Sequence, residues 1–186
     1  LMMRNINELI GIINGISYDG IINKIEVAGL SSWVKKNRNL SYEPRQARLI
    51  SLVEQVLEDG IITDEEREML IDNCSQYTAL ETDFSAKIYE LNGIIEGVIS
   101  DNEINEKEVC RLQEWMRTNE SFIRDHKPSK IICEKIDQIL EDGIVTQAEQ
   151  ESLLDILKKR LNDAQIETKI GYLKTCVKER KNLGID

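Results

Sequence analysis

The sequence predicts an all-α protein of four helix–turn–helix repeats of about 41 residues, arranged as a tandem duplication of a two-repeat unit with a C-terminal helix. Three observations predict it. Four segments align without gaps: Asp19-Gly-Ile-Ile-Asn-Lys-Ile-Glu26, Asp59-Gly-Ile-Ile-Thr-Asp-Glu-Glu66, Asp101-Asn-Glu-Ile-Asn-Glu-Lys-Glu108 and Asp142-Gly-Ile-Val-Thr-Gln-Ala-Glu149. Their spacings are 40 (59 − 19), 42 (101 − 59) and 41 (142 − 101). Apolar residues on either side of each segment recur at helical spacing, and only two prolines interrupt the 186 residues.

Each repeated segment contains a stop signal followed by a start signal. Gly20, Gly60 and Gly143, with Asn102 in the third copy, tolerate the left-handed conformation that ends a helix. Three residues later stand Asn23, Thr63, Asn105 and Thr146, good N-caps, each followed at the third position by Glu26, Glu66, Glu108 or Glu149. That spacing is a capping box: the cap side chain accepts from the N3 amide while the glutamate accepts from the cap amide. The segments therefore predict tight helical hairpins. A short backbone pairing of Ile21–Ile22 with Ile61–Ile62, within one two-repeat unit, is a further expectation.

The helices before the turns carry Leu9, Ile12, Ile13 and Ile16, then Leu49, Leu52, Val53 and Val56. The second half repeats the pattern with Leu91, Ile94, Ile95 and Val98, then Ile132, Ile136, Ile139 and Leu140. After the odd turns, Val27, Leu30, Trp33 and Val34 match Val109, Leu112, Trp115 and Met116. Odd and even copies differ. Only the odd ones place an apolar staple across the second helix start, Ile22 with Val27 and Ile104 with Val109, where the even ones carry Arg67 and Gln150. Trp33 and Trp115 share an offset of 82 (115 − 33), so the duplicated unit is the pair. The predicted organisation is 1–76 and 83–160 for the two units and 161–186 for the final helix, which starts after Asn162 and carries Ile166, Ile170, Leu173 and Val177. Linkers are predicted at Asn37–Gln46, Ser75–Thr82 and Thr118–Ser129.

The net charge of −10 argues against direct nucleic-acid or anionic-membrane binding, which requires clustered Lys and Arg. Cys74, Cys110, Cys133 and Cys176 are widely separated, with no C-x-x-C pair and one histidine in the chain, so neither a zinc site nor a disulfide framework is predicted. Reduced thiols and no membrane-length apolar run predict a cytoplasmic protein. The Leu1-Met2-Met3 start suggests an added remnant or a piece of something longer.

The D-G-x-I-x-x-x-E string matches the second half of an EF-hand loop. Calcium also needs oxygen ligands at positions 1 and 3, occupied here by Gly15 and Ser17, Gln55 and Leu57, Gly97 and Ile99, and Gln138 and Leu140. These cannot build a cage, so no metal is expected, and Asp19, Asp59, Asp101 and Asp142 stay weak candidates. Gly11 with Gly15, and Gly93 with Gly97, each cost helix stability and fall opposite the large-residue stripe at about 100° per residue. They predict a close crossing of the two glycine-bearing helices, or else a groove for a partner. Trp33 and Trp115 are expected in the core or at its edge, with a partner anchor as the other possibility. His126 is expected to be a solvated linker residue.

The string Leu91-Asn-Gly-Ile-Ile-Glu-Gly-Val-Ile-Ser-Asp101, with Glu108, Val109, Leu112, Trp115 and Ile139-Leu-Glu-Asp-Gly-Ile-Val145, resembles helical segments that precede BRCT domains in some bacterial proteins. It is also distantly similar to TerB-like helical domains of tellurite-resistance and stress or phage-defence operons. The resemblance covers roughly 9–74 and 91–157. It implies a non-enzymatic accessory domain, and for TerB-like domains metal binding through acidic residues, here the four turn aspartates. The function expected is an interaction or scaffolding module, an accessory part of a bacterial stress, DNA-maintenance or defence system. Gly11, Gly15, Gly93, Gly97, Trp33 and Trp115 are its candidate partner-binding residues. Its expected partner is another protein or another copy of itself, without nucleic acid, membrane, small-molecule substrate or cofactor. The alternative is a divalent-metal-responsive sensor.

Overall fold

The computed structural model describes residues 6–38, 43–79 and 83–185. Among them the chain is all helical: α1 (Ile6–Ile16), α2 (Lys24–Asn37), α3 (Pro44–Val56), α4 (Asp64–Thr78), α5 (Phe84–Val98), α6 (Glu106–Thr118), α7 (Glu120–Asp125), α8 (Lys127–Leu140) and α9 (Gln147–Asn182).

The four turns share one local geometry. Gly20, Asn102, Gly60 and Gly143 have φ of 82°, 65°, 77° and 75°. Asn23, Thr63, Asn105 and Thr146 cap α2, α4, α6 and α9, each in a complete capping box with its glutamate. The aspartate that opens each segment closes it as well. Asp19, Asp59, Asp101 and Asp142 accept through Oδ1 from the backbone amides of Ile21, Ile61, Glu103 and Ile144 at 2.9–3.1 Å. This is the Asx turn, the short acidic side chain standing in for a turn carbonyl. In the odd turns Ile22 packs on the first core and Ile104 is buried in the second.

Two cores result. One holds Leu9, Ile13, Leu30, Trp33, Val53, Val56 and Leu70; the other holds Leu91, Ile95, Leu112, Ile132, Ile136, Leu153 and Leu157. They are joined by α1 and α5, which run parallel and cross at the centre of the molecule. Residues buried all round α1 include Ile6, Leu9, Ile10, Gly11, Ile12, Ile13, Gly15 and Ile16, as expected of a helix with neighbours on every side.

Four expectations are corrected. Ile21–Ile22 and Ile61–Ile62 do not pair: no strand and no backbone hydrogen bond joins them among the described residues. Arg67 Nη1 reaches the carbonyl of Gly20 instead, so a side chain links the two turns. The predicted linker Thr118–Ser129 contains α7, whose Phe122 and Ile123 are buried. Asn119, freed at the end of α6, takes its amide to the Trp115 carbonyl at 2.8 Å. His126 is half-buried rather than solvated, stacked on Phe122 at 5.3 Å with Nδ1 2.5 Å from Ser129 Oγ. Burial there lowers its pKa, with the Arg160 charge adding to the effect. Finally, no separate helix begins after Asn162, because α9 continues unbroken for 36 residues, about 54 Å at 1.5 Å per residue. The predicted linkers at Asn37–Gln46 and Ser75–Thr82 lie partly outside the described residues.

Candidate functional site

Equivalent residues of the two units meet each other across the α1–α5 crossing, always at the offset of 82. A Cβ placed on Gly11 would stand 2.8 Å from Gly93 Cα and 2.7 Å from the Ile94 nitrogen; one on Gly93 would stand 3.0 Å from Gly11 Cα. Gly15 and Gly97 repeat this one turn later, at 3.2 Å and 3.1 Å from each other's Cα. All four glycines are buried against backbone, so they form the internal crossing and are closed to any outside partner. Spacing of four residues on both helices sets the glycines in one row, which lets the backbones approach.

The indoles repeat the symmetry, each bonded within its own unit. Trp33 Nε1 donates to Glu8 Oε1 at 3.2 Å and Trp115 Nε1 to Glu90 Oε1 at 3.0 Å. Trp33 is buried, and Trp115 is half-buried beside the Phe122 ring, with centroids 6.1 Å apart. Neither presents a free indole N–H, so both act as core posts.

Below the crossing, the odd turns lock together. Asn23 Nδ2 donates to Asp101 Oδ2 and Asn105 Nδ2 to Asp19 Oδ2, both at 3.0 Å. The same two side chains cap their helices through Oδ1. Asparagine keeps acceptor and donor on separate atoms, Oδ1 for its own helix and Nδ2 for the other unit, whereas threonine has one short hydroxyl for both, which in Thr146 already donates to Glu149. We expect Asn23→Thr with Asn105→Thr to keep both caps and lose both cross-unit bonds. The loss should be about 2–3 kcal/mol for the pair, since each bond goes to a charged acceptor, and urea unfolding measures it. An unchanged midpoint would make the exchange incidental.

Beneath this lock the capping glutamates are almost fully covered, Glu26 at 1% and Glu108 at 3% exposure. Burial raises the Glu26 carboxyl to about 7; the amide bond from Asn23 opposes this, and the Asp101 and Asp19 charges add to it. Glu108 is driven to about 8, again first by burial and then against Asn105, with Asp19, Asp101 and Glu26 adding to the rise. Four carboxylates thus surround the approximate twofold. Each of the aspartates is held by an amide, and no grouping of three or more His, Cys, Asp or Glu able to hold a metal occurs among the described residues. Asp59 and Asp142 lie apart from this cluster, each in its own exposed turn.

The units differ beside the lock. Tyr18 packs on the second core with the Arg111 guanidinium 5.6 Å over its ring. Its counterparts across the axis, Ser100 and Gly29, leave a cavity of about 240 Å³ lined by Ile12, Ile16, Leu30 and Ile99, which Leu161 of α9 borders.

One feature has no counterpart in the first unit. α9 rests on the body through Leu153, Leu157, Arg160 and Ala164, with Thr168 and Lys169 bordering a cleft against α5. Beyond that it projects. Ile166, Ile170, Leu173 and Val177 are 55%, 47%, 60% and 53% exposed, on one side of the helix. The stripe is legible in the sequence, and in the structure it faces solvent rather than the body. No helix is long and apolar enough to cross a membrane among the described residues. Comparison with protein-family models, with curated proteins and with solved structures gives no match for the chain.

Proposed function

We propose that the chain is a non-enzymatic interaction module, in which a rigid duplicated bundle holds out α9 as its docking element. The observation that carries this reading is the solvent-facing stripe Ile166, Ile170, Leu173 and Val177. Four large aliphatic side chains in a row on a charge-rich helix stay unfavourably hydrated until something covers them. The glycine crossing, the indole bonds within each unit and the turn lock support the scaffold half of the reading, since they hold together the body from which α9 extends. In this reading it is an accessory part of a bacterial stress, DNA-maintenance or defence system, which the resemblance to segments before BRCT domains and to TerB-like domains supports. Cytoplasmic residence belongs to the same proposal.

Ile170→Glu with Leu173→Glu tests it. In extracts of its own cells the chain should migrate in an assembly well above its 21.4 kDa. The double variant should run as the free chain with an unchanged melting temperature, because neither side chain supports the body. Free migration of the unaltered chain would overturn the reading.

A further inference from the structure

The exposed stripe is its own complement. Ile166, Ile170, Leu173 and Val177 are separated by 4, 3 and 4 residues, a spacing that is the same in both directions. The stripe lies roughly 150° round the helix from Leu153, Leu157, Arg160 and Ala164, at about 100° per residue. Whatever covers it therefore approaches from the side facing away from the body. The flank of the stripe is polarised along its length, with Asp163 and Glu167 near the start and Lys174, Lys178 and Lys181 further on.

We propose that α9 is a homodimerisation helix that pairs antiparallel with α9 of a second copy. This rests on the reading of the stripe as an interaction surface, and names its occupant. In the antiparallel register Ile166 meets the second copy's Val177 and Ile170 meets its Leu173, so two apolar layers form and the twofold generates two more. The same register brings Asp163 to the second copy's Lys181 and Glu167 to its Lys174, each pair occurring twice. Parallel pairing sets like charges level and loses all four. Glu167 already accepts from Arg160 Nη2 at 2.7 Å, and a carboxylate has lone pairs left for a lysine. The two bodies lie on opposite outer sides of the helix pair, so they do not collide.

An anionic lipid surface fits less well. Residues 168–185 carry five basic side chains and one acidic, a charge of +4, so the remainder carries −14 (−10 − 4) and would be repelled.

Sedimentation velocity of the full chain, from low micromolar to about 200 µM, tests the proposal. We expect a monomer–dimer equilibrium in the micromolar range. Ile170→Glu with Leu173→Glu should weaken it at least about tenfold, with the circular dichroism and melting temperature of the unaltered chain. Lys181→Asp should also weaken it, and adding Asp163→Lys should restore it, because the swapped pair again meets with opposite charge. A chain monomeric throughout, a dimer indifferent to the Glu substitutions, or a failed charge swap would each overturn it. So would loss of binding to phosphatidylserine vesicles in the Glu variant of a chain that stays monomeric. If the purified chain is monomeric while the assembly in cell extracts still depends on Ile170 and Leu173, the second copy is refuted and the interaction module stands.

Discussion

Replacing Gly11 and Gly93 together by alanine is expected to produce the largest loss of stability of any pair of single-methyl additions in this chain. Alanine is worth about 1 kcal/mol more than glycine in an exposed helix, and here that gain is overwhelmed. The closest atoms to a new methyl on either residue are backbone: the Glu90 carbonyl oxygen for Gly11 and the Glu8 carbonyl oxygen for Gly93. Main-chain atoms of two buried helices cannot turn aside as a flexible side chain would. The helices must separate, which opens the layer of Ile12, Ile13, Ile94 and Ile95 around them. We expect about 3 kcal/mol or more for the double substitution, read as a fall in the urea midpoint at an unchanged slope. Gly171→Ala is the internal control. Nothing lies within 4 Å of that position, and it should gain a few tenths to about 1 kcal/mol. A neutral Gly11/Gly93 double variant would show that the crossing has room the distances deny.

Acidification should stabilise the protein, against the usual direction for a chain with 34 acidic side chains. Glu26 and Glu108 bind protons in the folded state up to about pH 7 and 8, whereas unfolded they release them near 4.5. Their folded pKa values are raised, so the stability linked to them is fully present below about pH 4.5 and disappears as pH rises through 7–8. Water at the rim of the cluster screens part of the effect, and about 2 kcal/mol in all is expected between pH 5 and 8.5. That corresponds to about 4–8 °C in Tm for a chain of this size. Glu26→Gln with Glu108→Gln should abolish most of this dependence and stabilise the protein at pH 8.5. Glutamine keeps the acceptor for the cap amide and puts a donor, not a charge, among Asp19 and Asp101. A variant with the parent's pH slope would place the titration elsewhere.

Much of the fold was legible because the repeated segment is dense in residues with narrow conformational roles. Glycine or asparagine past a helix end, an N-cap and a glutamate three residues on leave one geometry. The glycine crossing could be read too, since Gly11, Gly15, Gly93 and Gly97 sit opposite the bulky stripe at a shared offset. Less legible was the assignment of partners. The alternation Asn, Thr, Asn, Thr at the caps is visible, and it marks the two turns that exchange amides; the EF-hand likeness of the turns suggests pairing within a unit instead. Glu8 and Glu90 share the offset of Trp33 and Trp115 and anchor them, a pairing that only spatial proximity reveals. Asn162 looked like a break, but one exposed asparagine costs a helix too little to end it. The stripe after it is legible as one apolar side of a helix, but periodicity does not say what that side faces. The burial of His126 is not legible in the sequence, because the aromatic residue that covers it, Phe122, belongs to a short helix within a linker-like stretch.

The close approach of α1 and α5 also sets an order of events during synthesis. α1 is made before α5, and the surface that completes it lies 82 residues further along the chain (93 − 11). At ribosomal rates of about 5–20 residues per second, it must wait roughly 4–16 s for its neighbour. During that interval the glycine face of a nascent chain is open, and the α5 of a chain being made on an adjacent ribosome fits it equally well. Exchange of α1 between two chains is therefore the misfolding route expected of this architecture, and the swapped product should grow with the rate of expression.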